Sequence, residues 1–170
     1  MKNQSMKSNK GFSLVELIVV IAIMAILVGI MAPSLMKQID KSRLSKDKNA
    51  ADNVYQALQN AIADPDIYDD WAGKANNGTT GYSLADFCAC KDGGADLMKA
   101  DLADYLKQKD FAAVTSMKFS SKNYKSTNYG SAITVVIDSK ENIALKVTNG
   151  SNSFYIPDQT TYNEIAADHQ

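Results

Sequence analysis

Hydrophobic and polar positions divide the chain into three regimes. From Leu17 to Met36 twenty residues run without a charge. At about 1.5 Å per helical residue that run covers about 30 Å, the hydrocarbon thickness of a bilayer. It has no polar face, which sets it apart from a helix that buries one stripe in a soluble core. From Lys37 to Asp64 the period becomes helical and two-sided. Leu44, Ala51, Val54, Tyr55, Leu58 and Ile62 fall on one broad face, with Asp40, Lys41, Arg43, Lys46, Lys48, Asp52 and Asn53 mostly elsewhere. The pattern predicts one helix of about fifty residues, ended by Asp64-Pro65, because the residue before proline is biased out of the α region.

Residues 65–95 break that period. Asp66, Asp69, Asp70, Gly73, Asn76, Asn77, Gly78, Gly81, Gly93 and Gly94 are turn-formers. Tyr68, Trp71, Tyr82 and Phe87 are interleaved as anchors, with a short helix near 84–90. Residues 95–109 predict a second helix with Leu97, Met98, Leu102, Tyr105 and Leu106 on its apolar face. Segments 114–119, 132–138, 143–147 and 153–156 then read as strands. Their short connections predict antiparallel hairpins. The expected fold class is α+β, a long N-terminal helix, half of it transmembrane, packed on an antiparallel sheet of three to four strands. The polar tail from Pro157 onward is expected to run over the surface.

One carboxylate changes the reading of the apolar run. Glu16 stands just inside its N-terminal edge, where an acid in lipid costs about 2.5–3.5 kcal/mol even on lenient scales. An acid kept at that cost marks a function and needs a partner. The residues around it are Lys10-Gly11-Phe12-Ser13-Leu14-Val15-Glu16-Leu17. This stretch resembles the processing site of type IV prepilins and their relatives, the pseudopilins. The match covers residues 10–36. A secretory signal peptide carries a shorter apolar region of about 7–15 residues, and a plain anchor explains neither Glu16 nor Gly11-Phe12.

The resemblance implies a division of the chain. Residues 1–11 are a leader cut after Gly11 by a prepilin peptidase, and the new N-terminal Phe12 is N-methylated. Residues 12–36 are the membrane-spanning or filament-core half of the helix, with Glu16 fifth in the mature chain. Residues 37–170 are an extracytoplasmic head, giving a type IV pilin-like, ladle-shaped α+β architecture. Phe12 and Glu16 are then the assembly residues. Pro33 falls where many pilins carry a helix-bending proline. Ala22, Ala25, Gly29 and Ala32 form a small-residue row beside the bulkier Ile21, Met24, Val28, Met31 and Leu35. Such a row lets helices approach closely. The partners implied are further copies of the chain, the processing enzyme, an assembly platform with minor pilins, and membrane lipid before assembly. The location is the cytoplasmic membrane first and a cell-surface filament afterwards. Two readings stay beside the pilus subunit: a pseudopilin of a type II secretion or DNA-uptake system, in which nucleic acid enters as a partner, and a membrane-tethered binding or adhesion module.

Charge and candidate chemistry add little to this. The formal net charge is −1, and loss of Lys2, Lys7 and Lys10 with the leader leaves 159 residues at −4, which gives no support for nucleic-acid binding across the whole surface. Charge does not orient the span, because Lys37, Lys41 and Arg43 follow it. The two cysteines, Cys88 and Cys90, are too close for an unstrained disulfide. His169 is the only histidine, so a closed zinc site lacks ligands. No phosphate loop or nucleophile elbow is present, and neither an enzyme nor a cofactor is expected. Asp66, Asp69 and Asp70 lack a full calcium-loop signature, and Asp158, Glu164 and Asp168 match no specific calcium site. Asn77-Gly-Thr and Asn149-Gly-Ser match the glycosylation sequon.

Overall fold

The computed structural model of the chain describes residues 12–67, 81–89, 94–125, 127–138, 140 and 142–167. Helix α1 runs from Leu14 to Ile62, 49 residues, without a break at Pro33. Internal contacts divide the chain into two compact units at Ile39 and Asp40. In the first, every described residue is exposed, and the apolar helix there is long enough to cross a membrane.

The second unit is the head. Here α1 buries Ala51, Val54, Ala57, Leu58 and Ala61, a stripe at steps of three and four that faces one core. After α1 come β1 (Tyr82–Ser83), α2 (Leu84–Phe87), α3 (Gly94–Tyr105), α4 (Phe111–Ser116), α5 (Tyr129–Ala132), β2 (Ile133–Ile137), β3 (Ile143–Asn149), β4 (Asn152–Ile156) and α6 (Gln159–Ala167). The four strands form one antiparallel sheet in the order β1-β2-β3-β4. Register pairs Val135 with Leu145 and Val147 with Phe154. Gly81, at φ +148°, lies so close to β2 that a Cβ would sit 2.6 Å from Thr134 Cγ2. A side chain there would strain the backbone and force Thr134 to shift.

Alternation along the strands gives the sheet two apolar faces. Ile133, Val135, Ile137, Leu145, Val147, Phe154 and Ile156 share a cluster with the buried stripe of α1. Val136 and Ala144 point the other way and are covered by Tyr162 and Ile165 of α6. Helix α1 therefore packs on a four-stranded antiparallel sheet, and the C-terminal helix closes the opposite face.

Three expectations are corrected. Residues 114–119 are not a strand. Phe111–Ser116 is helical, capped by Asp110, whose side chain accepts a hydrogen bond from the Ala113 amide at 2.8 Å. The fourth strand is instead the two-residue β1. The tail is not a surface strap, since Asp158 caps a helix that buries Tyr162 and Ile165. On α3, Met98 and Leu102 are buried as expected, but Leu97 and Tyr105 are 50% and 44% exposed. The short helix and the anchors Tyr82 and Phe87 are present. Tyr68, Trp71, Asp69, Asp70 and the turn residues 73–78 lie outside the described residues.

Candidate processing and assembly site

Residues 1–11, Gly11 among them, lie outside the described residues, which begin at Phe12, a side chain 93% exposed. Ser13 precedes the first helical residue. Its carbonyl accepts the first helical bond, from the Leu17 amide at 3.2 Å, and its Oγ accepts from the Val15 amide at 3.3 Å. Glu16 Oε2 reaches back to accept from the Ser13 amide at 2.9 Å. Ser13-x-x-Glu16 is thus a capping box, in which serine and acid satisfy backbone donors left open by the helix start. An anion in the first turn also opposes the positive end of the helix dipole. The partner that Glu16 requires is, in the single chain, its own helix terminus. That pattern was legible in the sequence.

Ala22, Ala25, Gly29 and Ala32 are all exposed, and a Cβ built on Gly29 meets nothing within 4 Å. Among the described residues of one chain nothing demands a small residue there.

Sequence reasoning missed a second polar centre. Asp47 sits on the head-facing side of α1, 3% exposed. Its Oδ1 accepts from the Ser120 amide at 2.7 Å and the Ser120 hydroxyl at 2.9 Å, and its Oδ2 from the Ser121 amide at 2.8 Å. Burial pushes the Asp47 carboxyl up, but hydrogen bonds from Ser121 and Ser120 outweigh it and hold the group below the ordinary carboxylate range. The buried Ser121 hydroxyl meets no hydrogen-bond partner among the described residues, so the Ser121 amide is the group seen to hold Oδ2. The loop so tethered carries aromatic rings into the core. Phe119 stacks on Tyr129 at 4.6 Å between centroids, and Tyr124 meets Phe154 edge-on at 5.2 Å. Burial, and then the Asp47 charge, push the Tyr129 hydroxyl up to about 12.

The remaining candidates take ordinary places. Cys88 is buried, while Cys90, Asn77, Asp168 and His169 lie outside the described residues. Asp158 caps α6. Its Oδ1 accepts from the Thr160 and Thr161 amides and its Oδ2 from the Thr161 hydroxyl, bonds that lower its carboxyl. Glu164 is exposed, and Asn149 closes the β3–β4 hairpin opposite Asn152.

The apolar helix, its acid-capped start and the Gly-Phe junction before it define an N-terminus of known type. Residues 6–32 match the prokaryotic N-terminal methylation motif. The chain is also similar to the type IV major pilin protein PilA of Myxococcus xanthus (strain DK1622), with 36% identity over 64 residues, 38% of this chain and 29% of that protein's length. The chain thus matches less than a third of that relative. No solved structure matches significantly. A long N-terminal helix on a four-stranded antiparallel sheet is the α+β, pilin-like arrangement.

Proposed function

We propose that this chain is a prepilin, a structural subunit of a type IV pilus and a substrate, not a relative, of the enzymes that process it. The carrying observation is the methylation motif at residues 6–32, continuous with a helix whose apolar half is exposed among the described residues. A surface of that kind is stable in lipid or in a bundle of similar helices. The relative from Myxococcus xanthus supports the same reading.

On this proposal a prepilin peptidase cuts between Gly11 and Phe12, and Phe12 is methylated. The subunit waits in the cytoplasmic membrane, its span within residues 12–36. It then joins a filament through Phe12, Glu16 and the row Ala22, Ala25, Gly29 and Ala32, with Pro33 tuning the curve of the helix. Residues 37–170 form the exposed head. The test is direct. Filaments sheared from cells are dissolved and the subunit weighed by mass spectrometry. The expected chain starts at Phe12 and carries one added methyl group. An intact leader in assembled filaments, or a subunit that never enters filaments, defeats the proposal.

A further inference from the structure

Asp47 draws together two basic segments that lie far apart in the head sequence. Lys46 and Lys48 flank it on α1, each turned about 100° from the buried carboxylate by helical geometry. Lys118 and Lys122 lie within two residues of Ser120 and Ser121, whose groups Asp47 binds at 2.7–2.9 Å. All four lysines are exposed. The ion pair recorded among the described residues, Arg43 with Asp40 at 4.0 Å, uses none of them. The Asp47 charge is turned inward onto three hydrogen bonds, so the rim above it stays cationic.

The opposite sign gathers elsewhere on the head. Asp64, Asp101 and Asp104 edge an open groove of 230 Å³ between the end of α1 and α3. Ala57 and Ala61 line it with small apolar side chains, and Tyr105 stands at its side. This is the chemistry a lysine requires. Its methylene stem lies along the apolar floor, its ammonium meets carboxylates, and an aromatic face attracts the cation. Lys46 of the rim is out of reach of the groove of its own chain. Lys46 and Asn60, which also lines the groove, are fourteen residues apart on α1, about 21 Å along the axis.

We infer that rim and groove are two halves of one contact between copies of this chain. The lysines of one head, Lys46 and Lys122 foremost, enter the Asp64, Asp101 and Asp104 groove of the next. The inference rests on the filament reading above and gives it a head-to-head surface in addition to the helix core. Two different surfaces of the same chain make a heterologous contact, which propagates along a polymer instead of closing a dimer. Asp47 acts indirectly, by holding the second pair of lysines beside the first.

The test uses the full-length chain in cells that assemble it. Lys46→Glu with Lys122→Glu, and separately Asp101→Lys with Asp104→Lys, reverse one side each. Either pair is expected to lower sheared-filament yield about tenfold or more, because like charges then face each other across the contact. Processed subunit in the membrane stays at wild-type level. The four changes together restore yield, a rescue that a merely misfolded head does not give. Wild-type filaments whose yield neither reversal alters overturn the contact and leave the filament reading standing. Failure of the wild-type chain to enter filaments defeats the filament reading itself.

Discussion

Replacing Asp47 by alanine tests how the head is held together. The substitution deletes the acceptor for three hydrogen bonds, from the Ser120 amide, the Ser120 hydroxyl and the Ser121 amide. Ser120 is exposed, so its donors can turn to water. Ser121 is 3% exposed, and its amide is left buried without an acceptor. Hydrogen bonds to a charged group contribute about 1.5–3 kcal/mol each, but bonds sharing one carboxylate do not add, and an abandoned buried donor costs about 1–3 kcal/mol. A loss of about 2–4 kcal/mol follows, or roughly 10 °C in midpoint for a head of this size. The assay is thermal and urea unfolding of a chain beginning at Lys37, read in the near ultraviolet where Phe119, Tyr124 and Tyr129 report. The effect carries a pH signature. The folded Asp47 carboxyl lies below its ordinary value of 3.8. Its contribution is therefore complete above that value and is lost as pH falls through the folded one. The gap between wild type and variant should be widest near neutrality and narrow in acid. A difference at pH 7 below about 0.5 kcal/mol, the range of an ordinary surface change, would refute the tether.

Three further outcomes are expected. Ile165→Ala should cost about 2–4 kcal/mol by opening a cavity over Val136 and Ala144, measurable in the same unfolding assay; a surface-like effect would mean that α6 does not seal the sheet. Tyr129, pushed up to about 12, should ionise well above the ordinary tyrosine value in an ultraviolet titration. Its raised value contributes stability that is complete below about 10 and lost as pH rises through about 12, and Tyr129→Phe should remove that contribution. Gly11→Val should block leader removal, seen as an uncut chain on immunoblots, because a β-branched residue obstructs close approach to the backbone.

Periodic signals made most of the fold legible. The helix to Ile62, α3 and the β2–β3–β4 hairpins follow from repeats long enough to read. Errors fell where a short local device outweighed composition. Val114-Thr-Ser looks like a strand, yet Asp110 caps the segment and Ala112-Ala113 continue it as a helix. Asp158 does the same for α6, where the polar surroundings hide the pair Tyr162 and Ile165. A two-residue strand such as β1 carries no period at all. It exists because Gly81 lets the chain approach β2 closely. Asp47 was invisible for another reason. A charge on a helix reads as solvated, and only the fold brings Ser120 and Ser121, more than seventy residues away, to its carboxylate.

Glu16 has two separable duties. As the fourth residue of the Ser13-x-x-Glu16 capping box it holds the helix start through the Ser13 amide at 2.9 Å. As an acid one turn from Phe12, it is proposed to meet the amine that cleavage creates, on its own subunit or on an incoming one, and so to set register. Glutamine keeps the first duty, since a capping box accepts Glu or Gln at that position. It loses the second, because a neutral amide does not compensate a cation in a dry bundle. Alanine loses both. Glu16→Gln should therefore insert and be cleaved as wild type, with the helix start intact, yet fail to build filaments alone. Glu16→Ala should fail likewise and also fray at residues 13–16, a difference read by amide exchange in micelles. Glu16→Asp keeps the charge with a shorter reach and should fall between. Filament yield after shearing, normalised to processed subunit in the membrane, is the measurement. Wild-type yield from Glu16→Gln would reduce Glu16 to a helix cap, and the register of addition would then have to come from the apolar row and the heads.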